Sequence, residues 1–268
     1  MTGRPIWLIG CGNMAGAMLG GWIGAGEAPG RFHVIDPSNP GLPEGVNRHD
    51  GPPDCGFGDA IVQLGFKPQM LGDIAPGHAG AVGPETTLTS ILAGVELASL
   101  RAAFPHAGAI VRVMPNMPVA IGKGAVGLVA EDRTAPGVEE IGALAGKLGT
   151  AEWVADEALI HVLTALVGSG PAFVYRYIDA LARGGEALGL DADVSRRLSL
   201  AMAEGAAALA AGSDESPAAL AERVASPGGT TRKGLDVLDA GEALVGVTGA
   251  ALAAATARAR EMAEEAKR

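Results

Sequence analysis

The feature that most narrows the possible folds is a short apolar run, Pro5-Ile6-Trp7-Leu8-Ile9, that ends directly in Gly10-Cys11-Gly12-Asn13-Met14-Ala15. A strand that breaks into glycines and opens at once into a helix sets the helix N-terminus at the strand's end. Met18, Leu19, Trp22 and Ile23 follow with helical spacing. Gly10 permits the tight turn, Gly12 lets backbone approach a pyrophosphate, and small Ala15 allows close helix–strand contact. A second strand-like run, Phe32 to Ile35, closes on Asp36. A carboxylate there can accept hydrogen bonds from an adenosine ribose, which favours NAD over NADP. No Arg or Lys follows closely to hold a 2′-phosphate, Arg48 being the nearest downstream, but Ser38 and Asn39 can still donate to one, so NADP(H) and NAD(H) both stay open. Asp36 before Pro37 also reads as an ordinary turn initiator. Cys11 reads as a small filler of the turn rather than a reactive thiol.

Further strand-like runs at 60–66, 86–92, 109–114 and 125–130 alternate with helical segments near 69–75, 95–104 and 137–148. That alternation predicts a parallel sheet with helices on both faces. Residues 37–58 hold five prolines and read as one long loop where a crossover helix would be expected. Past residue 155 strand signals vanish. Ala-rich helical patterns cover 157–166, 171–189, 191–211, 217–225, 230–239 and 241–265. The chain is therefore divided into 1–155, an α/β domain, and 156–268, an all-α domain. The last helix is apolar almost all round, so burial on more than one side is expected. The helical half looks too apolar to stand alone and should pair with a second subunit.

A formal net charge of −10, with Lys and Arg nowhere in runs, argues against nucleic acid or an anionic membrane surface as partner. Two cysteines, Cys11 and Cys55, make no disulfide framework and fit a reducing cytoplasm. The chain enters its first strand without room for a signal segment, and no stretch reads as apolar for long enough to span a bilayer. A soluble cytoplasmic protein is expected.

Ser226-Pro227-Gly228-Gly229-Thr230-Thr231 opens a helix after a proline break. Its first amides are unpaired donors at the positive end of the helix dipole, a ready carboxylate or phosphate site. Read blandly, it is a capped helix start. Lys67-Pro68-Gln69, Ala93-Gly94 and Met114-Pro115-Asn116-Met117-Pro118 close successive strands, where ligands bind in open α/β sheets. Asn116, held in a stiff turn, offers an amide to a nicotinamide carboxamide or a substrate. Gly168-Ser169-Gly170-Pro171-Ala172 marks a helix break or a close approach by a ligand or another helix.

In this order the motifs resemble the pyrroline-5-carboxylate reductase family, which makes proline in its last biosynthetic step. The resemblance rests on Gly10–Ala15, Lys67–Gln69, Ala93-Gly94, Arg112–Asn116, Gly168–Ala172 and Ser226–Thr231, and covers nearly the whole chain. It implies an N-terminal Rossmann-type domain and a helical domain for dimerisation and substrate binding, as a homodimer or a ring of dimers. It implies an NAD(P)H site at Gly10, Gly12, Asn13, Met14, Asp36, Ser38, Lys67, Pro68, Ala93 and Asn116. The substrate side would be Ser226, Gly228, Gly229 and Thr230, with Ser169 and, by position, Asp214. Thr231 matches the residue that donates to the imine nitrogen. The chain departs from the family pattern at Val167 and Phe173, at Arg232-Lys233, and in the proline-rich stretch 37–58. A reductase of the β-hydroxyacid type would place a lysine in the first long helix of the second domain, yet none occurs between Lys147 and Lys233. Reduction of another cyclic imine, or a non-catalytic NAD(P)H sensor, are the remaining alternatives.

Overall fold

The computed structural model describes residues 3–38 and 40–266. An eight-stranded sheet runs in the order β3-β2-β1-β4-β5-β6-β7-β8. Its strands are β1 (Ile6–Ile9), β2 (Phe32–Ile35), β3 (Asn47–His49), β4 (Ile61–Leu64), β5 (Thr87–Ser90), β6 (Ala109–Met114), β7 (Gly124–Ala130) and β8 (Gly149–Trp153). All pairs are parallel except β6 with β7. The central strands are buried on both faces, as a sheet covered by helices requires. Ile6 and Leu8 enter one core, and Trp7 and Ile9 the other. Helix α1 (Asn13–Gly24) fills the first with Met18, Leu19 and Trp22. The second takes Ala75 of α2 (Leu71–His78) and Leu97 and Leu100 of α3 (Leu97–Ala103). Helix α4 (Val138–Gly146) returns to the first face, where its Leu144 carbonyl accepts from the Trp22 indole at 2.9 Å.

Three features differ from the sequence reading. The stretch 37–58 is not structureless, because β3 folds back from it onto β2. β8 was not anticipated, since its alternating half-buried residues lack an apolar run. The sheet is not wholly parallel. A 3-10 turn at Met117–Ile121, ended by left-handed Gly122, reverses the chain into β7.

The helical region comprises α5 (Ile160–Leu163), α6 (Gly170–Ala187), α7 (Ala192–Ala211), α8 (Pro217–Arg223), α9 (Thr230–Leu238) and α10 (Ala243–Ala266). By compactness the chain groups into two units. One unit runs to Ser169 and resumes at Ala255; the other is Gly170–Ala254. The first unit retains α5 because Ile160 is buried in the second core and Leu163 lies over Gly127, where a Cβ would come 2.4 Å from the leucine Cδ1. In the second unit α6 and α7 pack tightly, and the Ser195 hydroxyl donates to the Ala182 carbonyl at 2.7 Å. Val174, Tyr175 and Tyr177 of α6, Leu198, Leu200, Met202 and Leu209 of α7, and Val245 and Val247 of α10 remain exposed. The all-round burial expected for α10 is therefore absent within one protomer.

Two helical stretches, Glu157–Ala187 and Ala240–Glu265, are 31 and 26 residues long and apolar enough to cross a membrane by length and composition. This corrects the expectation that none would be. Gly168 to Pro171 reads as a break, but the chain passes through it as a π-helical turn, Thr164–Ser169, that joins two segments into one. Pro171 lacks an N–H and crowds the carbonyl four residues back, a conflict that a widened turn relieves.

Arg112 on β6 is buried and pairs with Glu157 at 2.7 Å, while the same Glu157 oxygen accepts from the Leu97 amide at 2.7 Å. One carboxylate thus ties the sheet, the start of α3 and the entry to α5. Arg112→Met is expected to lower stability by about 1–3 kcal/mol, because it removes the buried cation from a carboxylate that is only partly exposed. Urea denaturation midpoints check this; a loss below about 1 kcal/mol, the value of a surface pair, would deny the clamp.

Candidate functional site

The parallel strands bring their carboxyl ends to one rim, and the sheet switches direction between β1 and β4, where ligands bind in such folds. Along that rim stand Asp50 after β3, Asp36 after β2, Gly10 to Gly12 after β1 and Lys67 after β4. A cleft of about 770 Å³ opens there, lined by Gly10, Gly12, Asn13, Met14, Asp36, Ser38 and Lys67. Gly10 has φ +84°, and a Cβ there would lie 2.8 Å from the Phe66 amide nitrogen. Gly12 caps α1 without any side-chain hydrogen bond, leaving the first amides of the helix free for an anion. A Cβ on Gly12 would meet nothing nearer than the Gly65 carbonyl oxygen at 4.0 Å. A left-handed turn, an uncapped helix and open space over Gly12 fit a dinucleotide.

Asp36 anchors this turn. Its Oδ2 accepts from the Cys11 amide at 2.7 Å, and its Oδ1 accepts from the Ser38 amide at 2.8 Å and hydroxyl at 2.6 Å. Burial works to raise its pKa, but the Ser38 and Cys11 hydrogen bonds, with the charge of Arg48, hold it below the ordinary carboxylate value. Burial, then the Asp36 charge, pushes the Cys11 thiol up to about 11, against a smaller opposing effect of Arg48. That thiol is a filler, not a nucleophile. Asn39 lies outside the described residues.

Pro68 and Ala93 line a second cleft of about 900 Å³, with Arg258 and Met262 of α10. Asn116 lines neither cleft: it is buried, and its Oδ1 accepts from the Ala125 amide at 3.0 Å, which fixes the reversal into β7. The first cleft also takes in Asp50, Phe66, Met70, Ile74 and His78, which were not singled out in the sequence. Met70, Ile74 and His78 recur every four residues, the spacing of one helix face. Asp50 gave no local signal.

In the helical unit, Ser226 to Gly229 form a β-turn with the Gly229 amide bonded to the Ser226 carbonyl at 2.9 Å. Pro227 at the second position and Gly228 at φ +71° in the third are the residues a type II turn demands. Gly229 then caps α9 with no side-chain hydrogen bond, and the first intrahelical bond, Lys233 amide to Gly229 carbonyl, is 3.2 Å. The amides of Thr230, Thr231 and Arg232 precede that bond, and both threonines are exposed. Arg232 pairs with Glu222 of α8, and Lys233 lies 3.7 Å from Asp236, so both added charges are matched locally. Asp214 is exposed between α7 and α8.

The Ser169 hydroxyl donates to the Thr164 carbonyl at a long 3.4 Å within the π turn. What approaches Gly168 most closely is Met114, whose sulfur lies 3.8 Å from where a Cβ would be. Val167 is buried and Phe173 is at the surface of α6.

Comparison with known proteins gives a consistent result. A family model described as pyrroline-5-carboxylate reductase dimerisation matches residues 157–262. The chain is 36% identical to pyrroline-5-carboxylate reductase of Pseudomonas aeruginosa over 99% of both chains. The structure is similar to that of the pyrroline-5-carboxylate reductase of Coxiella burnetii, with a TM-score of 0.87, 30% identity, and 97% of this chain and 98% of the other covered. It also shares the fold of the Plasmodium falciparum pyrroline carboxylate reductase with NADP bound, with a TM-score of 0.82, 24% identity, and 98% and 99% of the two chains covered.

Proposed function

The chain belongs to the pyrroline-5-carboxylate reductase family, and on that premise we propose that it reduces the cyclic imine 1-pyrroline-5-carboxylate to L-proline with NADPH or NADH, the last step of proline biosynthesis. The observation that carries this reading is the pairing of two chemistries in one chain. A glycine turn suited to a dinucleotide stands on the sheet, and an uncapped helix start flanked by hydroxyls stands in the helical region. A nucleotide sensor would need only the first. When bound, the reduced nicotinamide supplies the hydride that saturates the C=N carbon.

The residues of the chain do the rest. Gly12, Asn13 and Met14 would hold the pyrophosphate through backbone amides, while Gly10, whose own amide donates to the Ile35 carbonyl at 2.8 Å, makes the turn; Asp36 and Ser38 would stand at the ribose and Lys67 beside the phosphates. Pro68 and Ala93 shape the nicotinamide end, and Asn116 supports it from behind by fixing the reversal into β7. The substrate carboxylate is held by the amides of Thr230 and Thr231 and by the Thr230 hydroxyl, while Ser226, Gly228 and Gly229 set the turn, the Gly229 amide closing it on the Ser226 carbonyl at 2.9 Å. Ser169 and Asp214 complete the substrate side. Fixing the carboxylate orients the imine, which converts a chance encounter into a positioned one. As the C=N bond becomes CH–NH, the nitrogen needs a proton or a strong hydrogen bond, and Thr231 is the donor.

In this reading residues 1–155 bind the dinucleotide and 156–268 dimerise and bind substrate. The exposed apolar faces of α6, α7 and α10 support a homodimer; a ring of dimers and a cytoplasmic location complete the reading. The test is nicotinamide absorbance decay with pyrroline-5-carboxylate, run with NADPH and NADH side by side. Turnover with either is the expected result. Folded protein that binds the nucleotide yet turns over neither would move the reading to another cyclic imine.

A further inference from the structure

The strand next to β2 carries, beside the cleft and not among its lining residues, a cation that the reduction itself does not use. The β3 register sets Arg48 beside Val34, two residues before Asp36 on the neighbouring strand. From there Arg48 Nη2 donates to the Pro40 carbonyl at 2.6 Å, so the guanidinium reaches the turn that leaves Asp36. The group is exposed, and most of its five donors stay available to a ligand. Its charge also acts on the Asp36 carboxylate and the Cys11 thiol, working to lower the pKa of each. Asp36 is meanwhile occupied by three donors of its own chain. A carboxylate has about four acceptor sites, so three donors leave Asp36 with little capacity for the two ribose hydroxyls.

We propose that Arg48 binds the 2′-phosphate on the adenosine ribose and makes the chain discriminate for NADP(H) over NAD(H). The inference rests on the dinucleotide reading of this cleft. A guanidinium presents paired N–H donors to phosphate oxygens, which suits this role better than a point charge. Asp50, at the end of the same strand and lining the cleft, acts in the opposite sense by repelling a dianion.

The test is calorimetric titration of the full-length protein with adenosine 2′,5′-bisphosphate and with 5′-AMP, which differ only in the 2′-phosphate. The bisphosphate is expected to bind at least about tenfold more tightly, the value of a charge-assisted contact. Arg48→Gln should remove most of that advantage and leave 5′-AMP unchanged, whereas Arg48→Lys keeps part of it. Asp50→Asn should tighten the bisphosphate alone. An unchanged ratio in Arg48→Gln, or an equal loss for both ligands, overturns the proposal while leaving the dinucleotide site intact. Binding of neither ligand by folded wild-type protein overturns the dinucleotide reading and this proposal with it.

Discussion

Replacing Gly12 with valine is expected to abolish dinucleotide binding while leaving the melting temperature close to that of the wild type. The two effects separate because of where the new atoms go. Gly12 has φ −71° and ψ −169°, an extended conformation that any residue adopts. Its Cβ position has only the Gly65 carbonyl oxygen in reach, at 4.0 Å. The valine methyls therefore strain nothing inside the protein; they fill the space over the free amides of α1. Blocking two charge-assisted hydrogen bonds to a pyrophosphate costs on the order of 10²-fold or more in affinity. Gly10→Ala is the informative contrast. It puts a side chain at φ +84° and within 2.8 Å of the Phe66 backbone, so the fold itself loses about 1–3 kcal/mol. Calorimetry with NADP⁺ and thermal melts read both variants. Gly12→Val binding within about threefold of wild type would show that nothing anionic sits on this turn.

The contrast between these glycines also shows why part of the molecule can be read from its residues and part cannot. β1, β2, β4 and β6 are apolar runs that stop at Gly, Asp, Gly or Pro, and such runs announce themselves locally. β3 is Asn-Arg-His, which has no strand signature. It is held by pairing with β2 and by contacts from afar: the His33 and His49 ring nitrogens lie 3.0 Å apart, and both rings sit 4.5 Å from Trp7. Those contacts exist only once the sheet has formed, so Asp50 could not be placed on the cleft rim beforehand. The glycine turn, Asp36, Ser38 and Lys67 reach the cleft because strand ends in a parallel sheet share one rim by geometry. Asn116 shares that rim, but the reversal into antiparallel β7 claims its side-chain oxygen, and no periodicity foretells a reversal. The length of the helix through Ser169 was hidden for a related reason. Glycine and proline normally end helices, and a π turn is the uncommon way past them.

Thr231→Ala should lower kcat on the order of 10²-fold while moving KM for the imine little. The turn before α9 explains the split. Pro227, left-handed Gly228 at φ +71° and the Ser226–Gly229 hydrogen bond are all main-chain features that survive the substitution. The free amides at the helix start, proposed to hold the carboxylate, survive as well. Only the hydroxyl is lost, and with it the donor that meets nitrogen as charge builds in the transition state; an interaction made chiefly there shows in kcat. Thr231 is exposed at the second helical position, so the fold should not register its loss. Thr231→Ser restores the hydroxyl and should recover most of the rate, a rescue that a purely steric role would not produce. Threonine is a weak acid, and this sets the rival outcome. If the imine enters already protonated, the hydroxyl only orients it, and the alanine variant will lose less than about threefold at any pH where the iminium is populated. A pH profile of kcat for wild type and variant decides between them: a gap that widens as the substrate deprotonates marks Thr231 as the proton source, and parallel profiles sink that role.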